Sequence, residues 1–414
     1  MKPGILVITA RRWFSAARLA MSFNAAGCRV EIACPRNHPA LLTRGIAHRY
    51  PFRALSPIRS LHSAIRKSRP DLLIPTDEIA ARYLYRLYDE APSIDEGASP
   101  LIRSLVERSL GDPASFPALS SRTGFLAVAQ SEGIPTPPTE DILDLLSLER
   151  WLDENALPAV LKADGTSRGE GVRIVCTRKE AFKEWRKLRA PLGFAHVIRN
   201  TGFESDTHHI VPWLKRQQRS VSIQPFISGQ DSNIAVACWK GELLGVISVD
   251  VLRACRPRGP GALVELSHDD QMLKAVRTLV RRLKLSGFCG FDFMTEDGTG
   301  RAYLIEINAR ATQTCHLPYG IPRDLTTSLV SALAGEPLPS VNEARKRGII
   351  ALFPLAWQSG VSRQVLESTH QDIPWEEPHL VFAGFTKKDK SFYSGTPNVW
   401  LGGDAHEPLA GESK

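Results

Sequence analysis

The sequence predicts an α/β protein of more than one domain, and three observations support this class. Near the N terminus, short apolar runs alternate with segments of helical spacing, which is typical of a parallel sheet with helices on its faces. In the middle of the chain, 159–163 and 172–176 are predicted strands on either side of a glycine-rich loop. Further on, 288–295 and 302–307 are predicted strands joined by an acidic turn that contains glycine.

The chain has 414 residues, of which 43% are hydrophobic and 23% charged, so it is long enough for two or three domains with a sizeable core. None of its apolar runs approaches the roughly 20 residues of a membrane span. The run 5–10 is short, and Arg11 and Arg12 follow it, which is the wrong order for a signal peptide. The seven cysteines are odd in number and form no CxxC pair, which indicates reduced thiols. We therefore expect a cytoplasmic protein without a membrane segment.

Residues 1–110 are predicted to form a parallel α/β domain. Strands are expected at 4–9, 29–33 and 71–74, with a helix over 14–26 between the first two. In an open parallel sheet, ligands bind at the carboxyl ends of the strands. The residues expected at that edge are Thr9, Ala10, Arg11, Thr76, Asp77 and Glu78. No glycine fingerprint follows the first strand, which argues against a Rossmann cofactor domain.

The segment 36–69 carries many basic residues and no acidic one, and the formal net charge of the chain is +8. Such a balance raises the question of nucleic acid binding. The chain has no recognisable nucleic-acid motif, and the segment offers only Tyr50 and Phe52 as aromatic residues. A solvated basic face, or a patch that attracts small anions, is favoured. We expect no nucleic-acid partner.

Helices and a linker are predicted around the central motifs. Residues 91–118 are rich in Pro, Gly, Ser and Ala, which is typical of a linker, around a short helix over 101–110. Apolar spacing also predicts helices over 120–132, 145–155, 178–189, 268–285 and 324–333. At the C-terminal end, the apolar runs 347–355 and 380–385 are predicted strands of a small cap.

The hairpin is expected to bring three oxygen-bearing side chains together. Side chains alternate along a strand, so Asp292 faces away from the phenylalanines on either side of it. On the return strand, Leu304 and Glu306 are expected to share a face that Asn308 continues. Two carboxylates and an amide oxygen suit a hard cation such as Mg²⁺, which fills its other positions with phosphate oxygens and water. The alternative is an ordinary hairpin with an exposed acidic face.

The glycine-rich loop follows the strand that carries Lys162. Its glycines, Gly165, Gly169 and Gly171, allow backbone N–H groups to approach anionic oxygens, and Lys162 supplies a positive charge. The loop is therefore predicted to be a flap over a polyphosphate, with an ordinary turn as the alternative. Its spacing fits neither the phosphate loop of P-loop enzymes nor a dinucleotide fingerprint.

A third segment, 220–229, is a predicted strand that runs into a turn, and further strands are expected at 233–239 and 242–249. A lysine with a glycine-rich loop, then QPFISGQD, then FDF and IEINAR follow one another in this order. This order resembles the ATP-grasp superfamily, which contains biotin carboxylase, carbamoyl-phosphate synthetase and D-alanine–D-alanine ligase. The resemblance covers residues 110–335 by motif.

The resemblance implies a division of the chain into three parts, the second of them a domain of two lobes. The implied parts are an N-terminal α/β domain at 1–110, an ATP-grasp domain at 111–338 with lobes at 111–219 and 220–338, and a C-terminal cap at 339–414.

The resemblance also implies an ATP site. Lys162 corresponds to the lysine on the α- and β-phosphates, and Arg122 takes the place of a second phosphate lysine. Arginine at this position keeps the charge and changes the geometry. Gln224 corresponds to the residue near the adenine amino group, and Asp231 to the acid on the ribose hydroxyls. The other implied nucleotide contacts are Gly169, Gly171, Phe226 and Ile227.

A metal site is implied beside the nucleotide. Asp292, Glu306 and Asn308 correspond to the ligands of Mg²⁺, with Mn²⁺ as an alternative ion. An aspartate at 292 is a departure, because many members carry glutamate or glutamine there. Arg310 corresponds to the arginine near the γ-phosphate or an acyl phosphate, which makes Arg310 and Lys162 the implied catalytic residues.

Substrate contacts are expected in two loops. In the loop 253–261, Arg256 and Arg258 are candidates to hold phosphate or a substrate carboxylate, although a loop with arginine and proline is also an ordinary surface loop. After Arg310, Thr312, Thr314 and His316 are further candidates, and His316 could instead cap or pack. The adjacent His208 and His209 point in different directions, so a surface loop is favoured over a metal site.

The resemblance implies an ADP-forming carboxylate–amine ligase that acts on small molecules through an acyl phosphate, and a homodimer. Three alternatives stay open. A kinase of the superfamily would phosphorylate a hydroxyl group, and a carboxylating or carbamoylating enzyme would require bicarbonate. A nucleotide sensor or a nucleic-acid-binding protein would bind ATP or polyanions without turnover.

Overall fold

The computed structural model describes residues 2–166, 169–191, 213, 214, 216, 218–321, 324–337 and 348–385. In these ranges, no helix has both the length and the apolar character that a membrane crossing requires. The expectations for His208 and His209 lie outside the described residues.

The N-terminal part contains the predicted parallel sheet. Its strands are β1 (Gly4–Ile8), β2 (Arg29–Cys34), β3 (Ile46–Pro51) and β4 (Leu72–Pro75), in the order β3-β2-β1-β4, and all neighbours run parallel. Helices α1 (Phe14–Ala25), α2 (Pro57–Ser68) and α3 (Glu78–Ile94) connect or follow them. Strand β3 was not predicted, because it is an edge strand in which only Tyr50 is buried and no apolar pattern marks it.

The segment predicted as a linker is largely helical. Helix α4 (Ser99–Leu110) buries Ile102, Leu105 and Val106, and α5 (Phe116–Leu119) and α6 (Arg122–Ser131) follow it. Three of the prolines that suggested a linker, Pro100, Pro113 and Pro117, lie in the first turns of helices, where proline is tolerated because the missing N–H would be unpaired there anyway. The fourth, Pro92, lies in the last turn of α3. Composition thus indicated the helix ends and not a flexible connection.

A small antiparallel sheet carries the glycine-rich loop. It consists of β5 (Glu140–Asp141), β6 (Ala159–Ala163), β7 (Val172–Val175) and β8 (Val221–Pro225), in the order β5-β8-β6-β7. Helices α7 (Leu145–Glu154) and α8 (Arg178–Arg189) cover it with the buried Trp151 and Trp185. These residues form a core cluster of their own, which is confined to this sheet and its helices.

A larger sheet carries the predicted hairpin. Its order is β13-β12-β9-β10-β11-β14-β15, and α9 (Asp270–Arg282) and α10 (Leu325–Ala334) accompany it. The strands are β9 (Gly229–Trp239), β10 (Glu242–Ala254), β11 (Gly261–Leu266), β12 (Gly287–Glu296), β13 (Ala302–Asn308), β14 (Ile349–Ala351) and β15 (His370–Gln371).

The N-terminal sheet shares its hydrophobic core with this larger sheet. Leu6 and Leu73 belong to the same buried cluster as Phe291 and Phe293, and Ile5 belongs to a second cluster that reaches the C-terminal part. The small antiparallel sheet has a separate core, so a cleft can lie between it and the rest of the described chain. The domain boundaries at 110 and 338 stay predictions.

The run 380–385 was wrongly predicted as a strand. It belongs to helix α13 (Pro378–Phe385), which follows the short helices α11 (Leu355–Gln358) and α12 (Arg363–Glu367). A short apolar run cannot be assigned to helix or strand by periodicity alone. The conformation of this run depends on packing against Phe353. The ring centroids of Phe353 and Phe385 are 5.0 Å apart, and a Cβ at Gly384 would overlap the Phe353 ring.

Candidate active site

The hairpin brings Asp292 and Glu306 directly opposite each other. The two residues are register partners in the antiparallel pair β12–β13, and Phe293 pairs with Leu304. Between these pairs, β13 advances by two residues while β12 advances by one, which is a β-bulge at Ile305. The expectation that Leu304 and Glu306 share a face is therefore wrong. The bulge turns Leu304 into the core, where it is fully buried, and leaves Glu306 facing the cleft.

The Asp292 carboxylate is held by two asparagine side chains. Asn233 donates from Nδ2 to Oδ1 at 2.9 Å, and Asn308 donates from Nδ2 to Oδ2 at 3.0 Å. Burial raises the pKa of Asp292 to about 7, and the negative charges of Glu306 and Asp231 add to this effect. A buried carboxyl group with this pKa gains from a nearby cation, since a cation would relieve the repulsion from its neighbours.

Arg122 connects the hairpin to the glycine-rich loop. It is the first residue of α6, whose start is fixed by the Ser121 hydroxyl accepting a hydrogen bond from the Gly124 N–H at 3.1 Å. Its guanidinium donates to Glu306 Oε1 at 3.0 Å and to Asp164 Oδ1 at 3.2 Å. Burial alone would raise the pKa of Glu306, but the positive charges of Arg122, Lys162 and Arg310, with the hydrogen bond from Arg122, together outweigh burial and lower it.

Lys162 faces the same group of carboxylates from β6. Its side chain is buried, with 6% of the residue exposed. Burial, reinforced by the charge of Arg122, lowers the pKa of Lys162 to about 8, while Glu306 and Asp292 oppose this shift. The nearby carboxylates thus compensate only part of the cost of burying the Lys162 charge. An anionic ligand in the cleft would favour the charged form of Lys162.

The residues expected around adenine and ribose also line the cleft. Gln224 is 4% exposed, and among the described residues its Oε1 has no hydrogen-bond partner. A buried unpaired acceptor suits an amino-group donor such as that of adenine. Phe226 is 38% exposed and Ile227 half-buried beside it. Burial raises the pKa of Asp231 to about 6, while Lys162 acts in the opposite direction.

The cleft has a volume of about 380 Å³, which is within the range of small-molecule sites. Of the described residues, Gly171, Arg256 and His316 are predicted site residues that do not line it. The predicted residues that do line it are Arg122, Lys162, Gly169, Gln224, Phe226, Ile227, Asp231, Arg258, Asp292, Glu306, Asn308, Arg310, Thr312 and Thr314.

The glycine-rich loop lies against the loop 253–261. Gly169 has a φ of +74°, and a Cβ there would overlap the carbonyl oxygen of Arg258. Arg258 also donates from Nη1 to the Val172 carbonyl at 3.3 Å, and Arg256 lies 3.8 Å from the Glu170 carboxylate. Both arginines thus contact the flap, and Arg256 does so outside the cleft.

The proposed metal ligands fit Mg²⁺ in their chemistry. Two facing carboxylates match the few that Mg²⁺ takes from proteins, although within the described ranges no cluster of three or more His, Cys, Asp or Glu is suited to a metal. The third residue, Asn308, has its Oδ1 occupied by Arg310 Nη2 at 2.7 Å and its Nδ2 by Asp292. To become a ligand, the Asn308 amide would have to turn, which makes Asp292 and Glu306 the principal candidates.

The sequence predicted His316 as a candidate substrate contact, but in the structure His316 does not line the cleft. Its Nε2 lies 2.8 Å from Oδ2 of Asp372, and Arg18 pairs with the other oxygen of this carboxylate. The His316 and Asp372 side chains are only 6% and 5% exposed. His316 therefore attaches the loop after Arg310 to the C-terminal part, whereas Thr312, Gln313 and Thr314 from the same loop line the cleft.

Several residues at the cleft were missed by sequence reasoning, among them one with an amide, one with a large ring and one with a charge. Asn233 holds Asp292, and Trp13 and Arg82 line the cavity. A signal for Arg82 existed, because it lies four residues after Glu78 and both therefore share a helix face. No local pattern marks Asn233, whose role depends on its pairing with Asp292 between β9 and β12.

A cleft between a small antiparallel sheet with a glycine-rich loop and a larger sheet with an acidic hairpin is the architecture of an ATP-grasp domain. The family model for the ATP-grasp domain matches residues 196–314 of the chain. The chain therefore contains an ATP-grasp domain, which confirms the resemblance found in the sequence. None of the curated proteins matches the chain in sequence.

Solved structures with this fold share little sequence with the chain. Biotin carboxylase from Campylobacter jejuni has 16% identity and a TM-score of 0.58, over 83% of this chain and 74% of that one. N5-carboxyaminoimidazole synthetase from Staphylococcus aureus, complexed with ADP, has 13% identity and a TM-score of 0.59, over 84% and 82%. L-amino acid ligase from Bacillus licheniformis has 14% identity and a TM-score of 0.52, over 82% and 78%.

Proposed function

We propose that this protein is an ATP-dependent, ADP-forming ligase that joins a small carboxylate to an amine. One observation carries the proposal, namely that Lys162 of the small antiparallel sheet and Arg122 of helix α6 meet Asp292 and Glu306 of the hairpin at the cleft. Phosphoryl transfer depends mainly on positioning and on neutralising oxygen charge, and this arrangement offers cations and cation-binding carboxylates at one place. The ligase neighbours named above support the same reaction class.

The nucleotide would be held along the cleft by residues of both sheets. Gln224 offers its unpaired oxygen to the adenine amino group, and Phe226 offers an exposed ring beside the base. Asp231 accepts hydrogen bonds from the ribose hydroxyls. Lys162 and Arg122 pair with the phosphates, and the Gly169 segment covers them with backbone N–H groups and keeps water away.

Asp292 and Glu306 would hold Mg²⁺, or Mn²⁺ in its place, and the bound ion would neutralise phosphate oxygens during transfer. Arg122 and Lys162 together favour the ionised form of Glu306, and the two asparagine amides keep Asp292 oriented toward the same point. Asp292 and Glu306 thereby form a negatively charged site for a metal ion beside Lys162 and Arg122.

The proposed reaction has two balanced steps. An oxygen of the substrate carboxylate attacks the γ-phosphorus of ATP, the bond to the β-phosphate oxygen breaks, and ADP leaves. The amine nitrogen then attacks the acyl carbon, inorganic phosphate leaves, and the nitrogen loses a proton to solvent. Arg310, which lines the cleft beside Asn308, would stabilise the charge of the transferred phosphoryl group.

ADP release from mixtures of small carboxylates, with and without amines, tests the proposal. We expect phosphate and ADP in equal amounts only when both substrates are present, whereas a kinase would release no phosphate. Glu306→Gln should lower the rate by about 100-fold or more. The control is Glu132→Gln, since Glu132 also pairs with an arginine, Arg282 at 2.9 Å, but lies outside the cleft. Full turnover by Glu306→Gln would contradict the site. A homodimer and a cytoplasmic location stay predictions from the sequence.

A further inference from the structure

Two charged residues of the cleft have no task in the proposed reaction. Glu78 and Arg82 line the cavity from helix α3. In the proposed function, every other charged residue of the lining contacts the nucleotide, the metal, the transferred phosphoryl group or the flap, with one exception. The exception is Asp164, which is paired with Arg122. The unassigned pair therefore lies on the wall that the N-terminal part contributes.

The position of Glu78 is fixed by the residue before it. Asp77 is 2% exposed, and its Oδ2 accepts hydrogen bonds from Thr9 Oγ1 at 2.9 Å and from the Ala10 N–H at 2.7 Å. Its Oδ1 accepts from the Ala80 N–H at 2.9 Å and so begins helix α3. One buried carboxylate thus connects the end of β1 to the start of α3. Glu78 follows at the carboxyl edge of the parallel sheet, where such sheets place their ligands.

Glu78 and Arg82 present opposite charges side by side. Arg82 Nε donates to Glu78 Oε1 at 2.9 Å, and Arg82 Nη2 lies 3.4 Å from the Ser120 carbonyl oxygen. The side chains are 32% and 37% exposed, so both retain surface toward the cavity. They also lie near the phosphate-binding group, since the charge of Glu78 contributes to the raised pKa of Arg122.

We propose that this pair recognises a zwitterionic amino acid as a substrate of the site, with Glu78 accepting hydrogen bonds from its ammonium group and Arg82 donating to its carboxylate. The inference rests on the proposed function in taking the cleft as a ligase site. Glu78 and Arg82 together carry no net charge, so a simple amine or a simple carboxylate would add an unbalanced charge to a partly buried place, whereas a zwitterion brings one charge of each sign. Trp13 and Leu119 line the same cavity and offer apolar surface to a side chain.

An arginine and a glutamate four residues apart also stabilise a helix without any ligand. Helix α3 contains a matched example, because Arg86 Nη2 lies 2.7 Å from Glu90 Oε1 one turn further on. Among the described residues, neither Arg86 nor Glu90 belongs to the cavity lining. The pair Arg86–Glu90 therefore serves as a control for the effect of helix stabilisation alone.

The test measures binding without turnover. The full chain, saturated with Mg²⁺ and a non-hydrolysable ATP analogue, is titrated calorimetrically with each of the 20 standard amino acids, and hits are compared with their carboxamide and N-acetyl forms. We expect at least one free amino acid to bind about tenfold or more tightly than either blocked form. Arg82→Gln should remove the preference over the carboxamide, and Glu78→Gln the preference over the N-acetyl form. Arg86→Gln and Glu90→Gln should change neither preference.

Three results would overturn the inference: binding of none of the 20 amino acids, equal binding of blocked and free forms, or preferences that survive both cleft substitutions. General damage to the site would weaken all three ligand forms alike, so the selective pattern distinguishes recognition from a structural role. ADP release is measured separately on the same samples. Selective binding without ADP formation would contradict the proposed ligase and leave the amino-acid site standing.

Discussion

Arg122 and Glu306 lie 184 positions apart in the chain, and their side chains meet at 3.0 Å. One residue begins a helix before the glycine-rich loop, and the other lies on the return strand of the acidic hairpin. Both residues line the cleft, and the charge of Arg122 contributes to the lowered pKa of Glu306. The pair is therefore the clearest point at which two distant motifs form one site.

Arg122→Gln should weaken ATP binding by about tenfold or more, because it removes a charge-assisted contact to phosphate and leaves Glu306 with one cation fewer. Calorimetric titration with a non-hydrolysable ATP analogue measures the change. Arg282→Gln is the control, since Arg282 pairs with Glu132 outside the cleft and should leave affinity unchanged. If Arg122→Gln bound the ATP analogue as tightly as the native protein, Arg122 would not be a nucleotide-binding residue.

Mg²⁺ binding should depend on pH through Asp292. Its pKa is raised to about 7, so below pH 7 the carboxyl group is mostly protonated and an incoming cation must displace a proton. Affinity should therefore rise by up to about tenfold per pH unit between pH 5.5 and 7 and level off above pH 8. Calorimetry in buffers of different ionisation enthalpy measures the released proton. Asp292→Asn should release none, and a flat pH profile in the native protein would contradict the role of Asp292.

Gln224→Leu should affect stability and binding in different directions. The substitution removes a buried acceptor that lacks a partner among the described residues, so the free energy of unfolding should stay the same or rise by about 1 kcal/mol. Adenine nucleotides should bind less tightly, and the preference for ATP over GTP should shrink. Thermal unfolding and competitive titration of the two nucleotides give both quantities. If Gln224→Leu kept the full preference for ATP over GTP, Gln224 would not be the residue that contacts the adenine base.

Gly169→Ala should open the contact between the flap and the loop 253–261. Both Gly169 and Gly165 have positive φ, +74° and +70°, so alanine costs about 1 kcal/mol at either position. Only at Gly169 would the new Cβ meet the Arg258 carbonyl, whereas the space around Gly165 is open. We expect faster proteolysis of the flap and a higher KM for ATP in Gly169→Ala than in Gly165→Ala. Equal proteolysis rates and equal KM values for ATP in the two variants would show that the contact between Gly169 and Arg258 does not position the flap.

Asp372→Asn should destabilise the protein by about 3 kcal/mol, because it leaves Arg18 and His316 without their shared buried carboxylate. Burial alone would raise the pKa of Asp372, but His316 and Arg18 lower it below its ordinary value of 3.8. The stabilisation is thus complete above the ordinary value and is lost as the pH falls through the lower, folded pKa. Urea unfolding at pH 7 and pH 3 measures this loss. The exposed pair Asp153–Arg178 provides the control Asp153→Asn, which should cost little at either pH.

Much of the site could be predicted because its motifs are local. The alternation along 288–295, the glycines after Lys162 and the turn at 296–300 each depend on neighbours in sequence, and the structure has the strands and the hairpin where they were expected. The side-chain direction at Leu304 could not be predicted, since a single extra residue in one strand reverses the face of everything beyond it. The helix at 378–385 was missed because its apolar run is short and its conformation depends on Phe353.

Periodicity, turn residues and motif order were sufficient to predict a parallel N-terminal sheet, an acidic hairpin and a glycine-rich flap, because backbone geometry couples each of these to residues a few positions away. They could not show that Arg122 pairs with Glu306, or that His316 pairs with Asp372 outside the cleft. Such relationships join segments far apart in the chain. They exist only after the sheets pack, since burial and long-range contacts, and not local preference, choose the partner of each charged side chain.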